Sequence, residues 1–321
     1  MVDNLFNKTN KFNEFNELII EDAEELISLL RPDTKKISEL MTKIKVQELK
    51  LGYMPVILDE LIYRGQVNSE WLLQPTVYRR MKEITSFFSG PSVDHHMEYN
   101  ILSEFQKSCD LTGVQIPSDT LQIRKLQKKH TNKKFGYFDD NEEFTDWFDD
   151  LFYELAAFAQ HFGVPTRLLD WSKNPFVASY FSSSEALKYK LNEIKFFSIW
   201  VLNIDTLVSS MDKSIDFLDL PKSINSHISH QQGVLSLTKF NNQLIKKYGY
   251  RPTISNILEY SNQSWRLLKI NVPLELALEL FDYCNSHNFN ACQLFRGSHG
   301  AVSHTKDILN REEFLKQDFG I

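Results

Sequence analysis

Hydrophobic residues recur every three or four positions in several stretches of this chain, which is the spacing of one face of an α-helix. Residues 12–30 carry Phe, Leu and Ile at this spacing with acidic residues between them, and residues 35–51 repeat the pattern up to a glycine. Residues 95–163 return to it, most clearly over 141–162, where Gly163 supplies a stop signal. We therefore predict helices in each of these stretches.

Shorter apolar runs have the length and composition of β-strands, and most of them lie in the second half of the chain. Between two of these runs, Asn174-Pro175 opens a helical stretch with a capping residue followed by proline. Helices gathered in the first half and strands in the second predict an α+β fold. The predicted strands cover residues 61–64, with Gly65 ending the run, and residues 166–172, 196–204, 234–237 and 265–272, and a further helix covers 274–287.

Composition supports a folded protein and excludes several classes. With 321 residues, 42% of them hydrophobic and 13% aromatic, the chain can build one large domain or two modest ones. Three cysteines are too few for a disulfide framework or a four-ligand zinc site, and no zinc, P-loop or dinucleotide-type glycine motif occurs. There is neither a signal-peptide pattern nor an apolar run of membrane-spanning length, so we expect a soluble cytoplasmic protein with no metal and no membrane partner.

Charge is distributed unevenly along the chain. The net charge is −6, so the overall field does not attract nucleic acid, but residues 124–134 concentrate positive charge. A surface that tracks phosphate groups needs such a cluster, whereas the alternatives are a solvated loop or a docking site for an acidic partner protein. The basic tract consists of Arg124, Lys125, Lys128, Lys129, Lys133 and Lys134.

Polar residues are densest at 160–182, just after a predicted helix and around a predicted strand. Helix ends and strand-to-helix junctions are places where ligands meet backbone donors, so this concentration indicates a site. The alternative is structural: Arg167 pairs with Asp170, His161 caps the end of one helix and Asn174 caps the start of the next. The polar residues are Gln160, His161, Thr166, Arg167, Asp170, Ser172 and Asn174.

A second candidate segment is Tyr63-Arg64-Gly65-Gln66, followed by Trp71, Leu73, Pro75 and Arg79. An arginine at the end of a strand offers a fork-shaped grip on phosphate or carboxylate, and the neighbouring glycine lets a ligand approach the backbone. An arginine that pairs with an acid at the edge of a strand is the structural alternative.

These two segments together resemble the FRG domain, a bacterial and phage-borne family with a Phe/Tyr-Arg-Gly signature. The central motif reads QHFGVPTRLLDWSKNPFVASYF from Gln160, and the resemblance extends over about residues 51–309. It divides the chain into a helical N-terminal extension, 1–50, and an FRG domain, 51–321, with a helical insertion at about 95–160. A later family signature is weakened at 227–233, which lacks arginine. The literal Phe295-Arg296-Gly297 is not the signature, and Gly300 takes the place of a glycine found in relatives.

The resemblance implies a fold and an activity. FRG domains look like distant relatives of ADP-ribosyltransferases, in which a split β-sheet core of two small sheets surrounds a NAD-binding cleft. The expected function is a toxin-type, NAD-dependent ADP-ribosyltransferase in a toxin–antitoxin or phage-defence system, with NAD as co-substrate and an antitoxin or inhibitory protein as partner. RNA or DNA is slightly favoured over protein as acceptor. The alternatives are a non-catalytic module that senses nucleic acid or a phage protein, and a NAD glycohydrolase.

The resemblance also implies roles for individual residues. Arg64 corresponds to the arginine on the first strand, and Asp170-Trp171-Ser172 leads into a helix that contains a small residue, Ala178. No late acidic pair is found. Glu259 is the remaining candidate, so Asp170 is the preferred carboxylate to stabilise positive charge on the ribose.

The other implied roles concern binding and proton transfer. Arg64 or Arg167 would hold the diphosphate, and Tyr63, Phe162 or Tyr180 would stack on a base. His161 would accept the proton of the attacking group, or instead serve as a structural cation at a helix end. The implied catalytic residues are Arg64, His161 and Asp170, and the implied NAD-binding residues are Tyr63, Arg64, Gly65, Gln66, Thr166, Arg167, Ser172 and Tyr180.

Overall fold

A computed structural model describes residues 1–12, 14–52, 60–79, 91–131, 150–205, 214–218, 232–239, 242–249, 251–295 and 297–319. Eight strands form one open sheet in the order β1-β2-β8-β5-β3-β4-β7-β6. The strands are β1 Asn10–Lys11, β2 Asn16–Ile19, β3 Leu61–Gln66, β4 Leu169–Ser172, β5 Phe196–Asn203, β6 Ile215–Leu218, β7 Gly233–Thr238 and β8 Leu267–Pro273.

Helices lie between and after these strands. The α-helices are α1 Val2–Asn7, α2 Ala23–Leu30, α3 Lys36–Glu48, α4 Pro91–Thr112, α5 Leu121–Thr131, α6 Tyr153–His161, α7 Pro175–Ala186, α8 Asn242–Tyr248, α9 Ile254–Tyr260, α10 Ala277–Ser286, α11 Ala291–Leu294 and α12 Gly297–Phe319. Single 3₁₀ turns occur at Pro32–Thr34, Asp150–Phe152, Ser264–Arg266 and Leu274–Leu276. Among the helices of the described ranges, none is long and apolar enough to cross a membrane.

The α+β class is confirmed, but the helices do not gather in the first half. Helices α7 to α12 accompany the strands of the second half, because both faces of the sheet need apolar cover. The first nine residues of the predicted 141–162 helix lie outside the described residues, and the rest form a 3₁₀ turn, Asp150–Phe152, followed by α6, which begins at Tyr153. The predicted strands of the second half are confirmed as β4, β5, β7 and β8.

The N-terminal fifty residues are mostly helical, as predicted, yet they also contribute to the sheet. The helix predicted over 12–30 begins only at Ala23, where the Asp22 carboxylate caps the N–H of Glu25. Residues 16–19 instead form β2, which pairs in parallel with β8. Burial alternates along β2, with Asn16 and Leu18 buried and Ile19 exposed, so the side chains follow the period of a strand although the apolar spacing predicts a helix.

The sheet is continuous and does not divide into the two small sheets that the resemblance implies. Its narrowest junction lies between β3 and β4, which share a single residue pair, Tyr63 with Ser172. On its other side β3 makes six pairs with β5, from Leu61 to Gln66. The backbones of β3 and β4 therefore separate past Tyr63. Side chains line the gap between the two strands, where further ladder hydrogen bonds would otherwise form.

Gly65 does not end β3, which continues to Gln66. A Cβ at position 65 would lie 2.1 Å from the main-chain oxygen of Ala178 and 2.8 Å from the nitrogen of Ser182. Helix α7 thus packs directly on the backbone of β3, a close approach that only glycine permits.

Candidate functional site

A cavity of about 460 Å³ opens where β3 and β4 separate. Its floor comes from β3 and β4, and its walls come from α6, α7, the segment after β3, and Phe295 near the C-terminus. The polar and charged lining residues are Tyr63, Arg64, Gln66, Arg79, Gln160, His161, Asp170, Ser172, Glu185 and Tyr189, and the larger apolar ones include Trp71, Phe181, Leu235 and Phe295.

Arg64 points along the gap between the two strands. Its Nη1 donates to the main-chain oxygen of Asp170 (2.7 Å) and lies 3.9 Å from Oδ2 of the same residue. Within the described part of the chain, its other N–H groups have no protein acceptor. A guanidinium has five N–H donors in a fixed fork. One of them fixes Arg64 to the main chain of Asp170, and the others are available to a ligand.

Arg79 brings a second guanidinium to the same cavity. It lies 5.7 Å from the centre of the Trp71 ring and donates to the hydroxyl of Thr76 (3.2 Å). Burial lowers the pKa of Arg64, Asp170 raises it, and the nearby Arg79 charge lowers it further. Arginine stays protonated near neutral pH despite such shifts, so the cavity holds two neighbouring positive charges.

Asp170 supplies a carboxylate on the opposite side of the gap. Its Oδ1 accepts a hydrogen bond from Nε2 of Gln160 (2.6 Å), and its side chain is 64% exposed towards the cavity. Surrounding protein atoms exclude part of the water from the carboxyl group, and this desolvation raises the pKa of Asp170. The charge of Arg64 and the hydrogen bond from the Gln160 amide both lower it. Gln160 is itself anchored by the hydroxyl of Thr166.

His161 is the last residue of α6 and lines the cavity. Its ring centre lies 5.0 Å from that of Phe162 and 6.4 Å from that of His299. The position is compatible with accepting a proton from a group that enters the cavity, and equally with a cation at the end of a helix. Both interpretations of His161 stay predictions.

Three further residues with implied NAD-binding roles line the cavity but are engaged in structural contacts. Oε1 of Gln66 accepts from Nε1 of Trp200 (2.8 Å), and the Ser172 hydroxyl accepts from the backbone N–H of Asn174 (3.0 Å). Tyr63 is buried at the β3–β4 junction. Asn174 caps α7 as predicted, because its side chain accepts from the N–H of Phe176.

Thr166, Arg167 and Tyr180 do not line the cavity, contrary to the roles implied for them. Thr166 is buried against Gln160. The hydroxyl of Tyr180 donates to Asp307 on α12 (2.6 Å), so this side chain packs against α12 and not into the cavity. Arg167 is 3% exposed and faces α4.

The structural alternative in which Arg167 pairs with Asp170 is wrong. The partner of Arg167 is Glu98 on α4, with Nε–Oε2 and Nη2–Oε2 distances of 2.6 and 2.5 Å. One turn earlier on α4, Asp94 forms a second buried pair with Arg251, through two hydrogen bonds of 2.6 Å. The first pair attaches α4 to the segment that leads into β4, and the second attaches it to the segment that leads into α9.

The basic tract lies apart from the cavity. Arg124 is held between Asp110 and Asp119, so its charge is already paired. Lys125 and Lys129 are exposed on α5. Lys128 is also exposed on α5, whereas Lys133 and Lys134 lie outside the described residues.

Glu259, the candidate late acid, lies on α9, 3.7 Å from Lys247, and does not line the cavity.

Sequence reasoning missed other lining residues, among them Glu185 and Tyr189. The helical wall could have been predicted from spacing on α7. Its lining residues follow one another at one, three and four positions, as residues on one face of a helix do: Val177, Ala178, Phe181 and Glu185.

Comparisons with known proteins agree with the predicted resemblance over part of its range. The family model of the FRG domain matches residues 59–190, which include Arg64, Gln160 and Asp170, both strands of the cavity floor and both wall helices, α6 and α7. The resemblance is confirmed over this range, where residues 59–190 match the FRG domain. No curated protein and no solved structure matches the chain.

Proposed function

We propose that the FRG domain of this chain is a NAD-dependent ADP-ribosyltransferase, with the cavity between β3 and β4 as its active site. The observation that carries the proposal is the arrangement of Arg64 and Asp170, which face each other where the ladder between their strands ends. Arg64 is only partly paired, as suits the first-strand arginine that the family resemblance implies. Asp170 opens into the same cavity, as suits the acid that stabilises charge on the ribose.

The residues present fit a dinucleotide. A diphosphate carries two negative charges, and Arg64 and Arg79 supply two guanidinium groups in one cavity. Trp71, Phe181 and Tyr189 offer flat surfaces for bases or a nicotinamide ring. A volume of about 460 Å³ lies in the range of small-molecule sites.

The proposed reaction exchanges one bond to ribose for another. The bond between ribose C1′ and the nicotinamide nitrogen breaks, nicotinamide leaves with the electron pair, and the acceptor's nucleophile bonds to C1′ and releases a proton. The Asp170 carboxylate stabilises the positive charge that grows on the ribose. His161, at the end of α6 beside Asp170's partner Gln160, receives the proton.

A nucleic acid, RNA or DNA, is the proposed acceptor. The support is the exposed positive charge of Lys125 and Lys129 on α5, in a chain whose net charge is −6. By the family resemblance, we place the enzyme in a toxin–antitoxin or phage-defence system, acting in the cytoplasm and neutralised by a partner protein.

The test incubates the full chain with NAD labelled in its adenosine half and separately with RNA, DNA and cellular protein. We expect label in RNA or DNA and stoichiometric release of nicotinamide. Arg64→Ala should abolish both, whereas Arg31→Ala, which removes an exposed arginine paired with Asp33, should change neither.

The other outcomes identify the alternatives. Free ADP-ribose without labelled macromolecule indicates a NAD glycohydrolase. Salt-sensitive binding of nucleic acid that Asp170→Asn leaves intact, with no nicotinamide released, indicates a non-catalytic module and contradicts the proposal.

A further inference from the structure

Gln160 and Thr166 link the end of α6 to β4 through a chain of side-chain hydrogen bonds. The Thr166 hydroxyl oxygen accepts from the backbone N–H of Leu168 (3.2 Å), and the hydroxyl donates to Oε1 of Gln160. Nε2 of Gln160 donates to Oδ1 of Asp170 (2.6 Å). Because an amide has its acceptor on one side and its donors on the other, the bond to Thr166 leaves N–H groups facing Asp170.

We propose that Gln160 is a positioning residue: with Thr166 it keeps Oδ1 of Asp170 an acceptor and leaves Oδ2 as the oxygen that meets a ligand or takes up a proton. Oδ2 is the oxygen that lies 3.9 Å from Nη1 of Arg64, on the side of the gap. A proton on Oδ1 would face an N–H group of Gln160, which is unfavourable. Proton exchange at Asp170 is therefore confined to the oxygen that faces the cavity.

The same hydrogen bond governs how readily Asp170 ionises. Partial exclusion of water from the carboxyl group raises its pKa, and the two side chains that oppose this are Arg64 on β3 and Gln160 on α6, together with the backbone of Asp170 itself. A donor to the charged form favours ionisation, so removing the Gln160 amide should raise the pKa of Asp170. The other charged or titratable groups around the cavity are Tyr63 on β3, Arg79, His161 on α6, and Glu185 and Tyr189 beside or on α7.

The positioning of the carboxylate follows from the contacts alone, whereas its catalytic consequence rests on the NAD chemistry proposed above. The two are separated by measuring the titration of Asp170 without NAD. Carbon-13 NMR of the side-chain carboxyl, assigned by its loss in Asp170→Asn, reports the midpoint directly in the full chain.

In Gln160→Leu, which keeps the approximate size of the side chain and removes the donor, we expect the Asp170 midpoint to rise by about one pKa unit. Gln293→Leu makes the same chemical change at an exposed position on α11 and should leave the midpoint where it is. An unchanged midpoint in a folded Gln160→Leu variant overturns the proposal.

Thr166→Val gives a second measurement in case Gln160→Leu does not fold. It keeps the shape of the side chain, removes the hydroxyl and lets the Gln160 amide turn, so a smaller rise in the same direction is expected. An unchanged midpoint here also counts against the proposal.

The pH dependence of turnover distinguishes a positioning role of Gln160 from a merely structural one. If the chain transfers ADP-ribose, the acidic limb of the kcat profile should shift with the Asp170 midpoint in Gln160→Leu, while KM for NAD changes little. A shifted midpoint in a chain without turnover leaves the positioning intact and refutes the proposed function.

Discussion

Two arginine–carboxylate pairs, one containing Arg167 and the other containing Asp170 three residues later, differ in almost every physical respect. Arg167 and Glu98 are each 3% exposed and lie 2.5 Å apart. Arg64 and Asp170 are separated by 3.9 Å, and the Asp170 side chain is 64% exposed. The first pair, which we call the closed pair, is buried and attaches α4 to the segment before β4, whereas in the second, the open pair, Arg64 binds the main-chain oxygen of Asp170 and the Gln160 amide binds its carboxylate. Residue type alone therefore does not distinguish a structural pair from a site, and the difference lies in the burial of the two groups and the distance between them.

The largest effect is expected from breaking the closed pair. Arg167→Ala leaves a buried carboxylate without its partner and should lower the free energy of unfolding by about 3–5 kcal/mol, as measured by urea denaturation. Arg311→Ala is the matched control, because Arg311 also contacts a carboxylate through Nε and Nη2, that of Asp282, but both side chains are partly exposed, and a loss below about 1 kcal/mol is expected. Equal losses in the two variants would show that burial does not distinguish these pairs.

The closed pair should also make stability depend on pH. Burial raises the pKa of Glu98 from 4.5 to about 7, although Arg167 opposes the shift. The folded state then binds the proton more tightly than the unfolded state, so this contribution to stability is complete below about pH 4.5 and is lost as pH rises to about 7. Its size is on the order of 3 kcal/mol.

Urea denaturation at pH 5 and pH 8 measures this loss, and Glu98→Gln should remove most of it. An undiminished pH dependence in Glu98→Gln would assign the titration to another group. Asp170 is such a group, since its pKa is raised as well.

A smaller effect is expected at the floor of the open site. Gly65→Ala forces the new methyl group against the main-chain oxygen of Ala178, so α7 must move away from β3. We expect a loss of about 1–3 kcal/mol in unfolding free energy, together with loss of NAD binding in calorimetry. Gly52→Ala is the control, since nothing lies within 4 Å of its added Cβ, and it should affect neither quantity.

The smallest effect on stability is expected at the open pair itself. Asp170→Asn replaces an exposed carboxylate by a group of the same shape, so the free energy of unfolding should change by less than about 1 kcal/mol. NAD turnover should nevertheless fall by about 100-fold or more, because charge stabilisation is lost. A large loss of stability with turnover retained would reverse the assignment of the two pairs.

The sequence predicts much of this architecture because local chemistry determines it. The Asn174-Pro175 start of α7 and the apolar runs of β5 and β8 needed no tertiary information. The sequence predicts helix at β2 because Phe15, Leu18 and Ile19 are spaced as on one face of a helix, and only the pairing with β8 shows that this segment is a strand. Arg64 and Asp170 were identified, but the partner of Arg167 was not, since Glu98 is 69 residues away in the chain.

The single residue pair between β3 and β4 has a consequence for how such domains diversify. Because backbone hydrogen bonds do not set the width of the gap beyond Tyr63, its dimensions depend on how α6 and α7 pack on either side. Substitutions in those helices can widen or narrow the opening while every ladder of the sheet is preserved. Ligand size can therefore drift over evolutionary time at little cost to the fold.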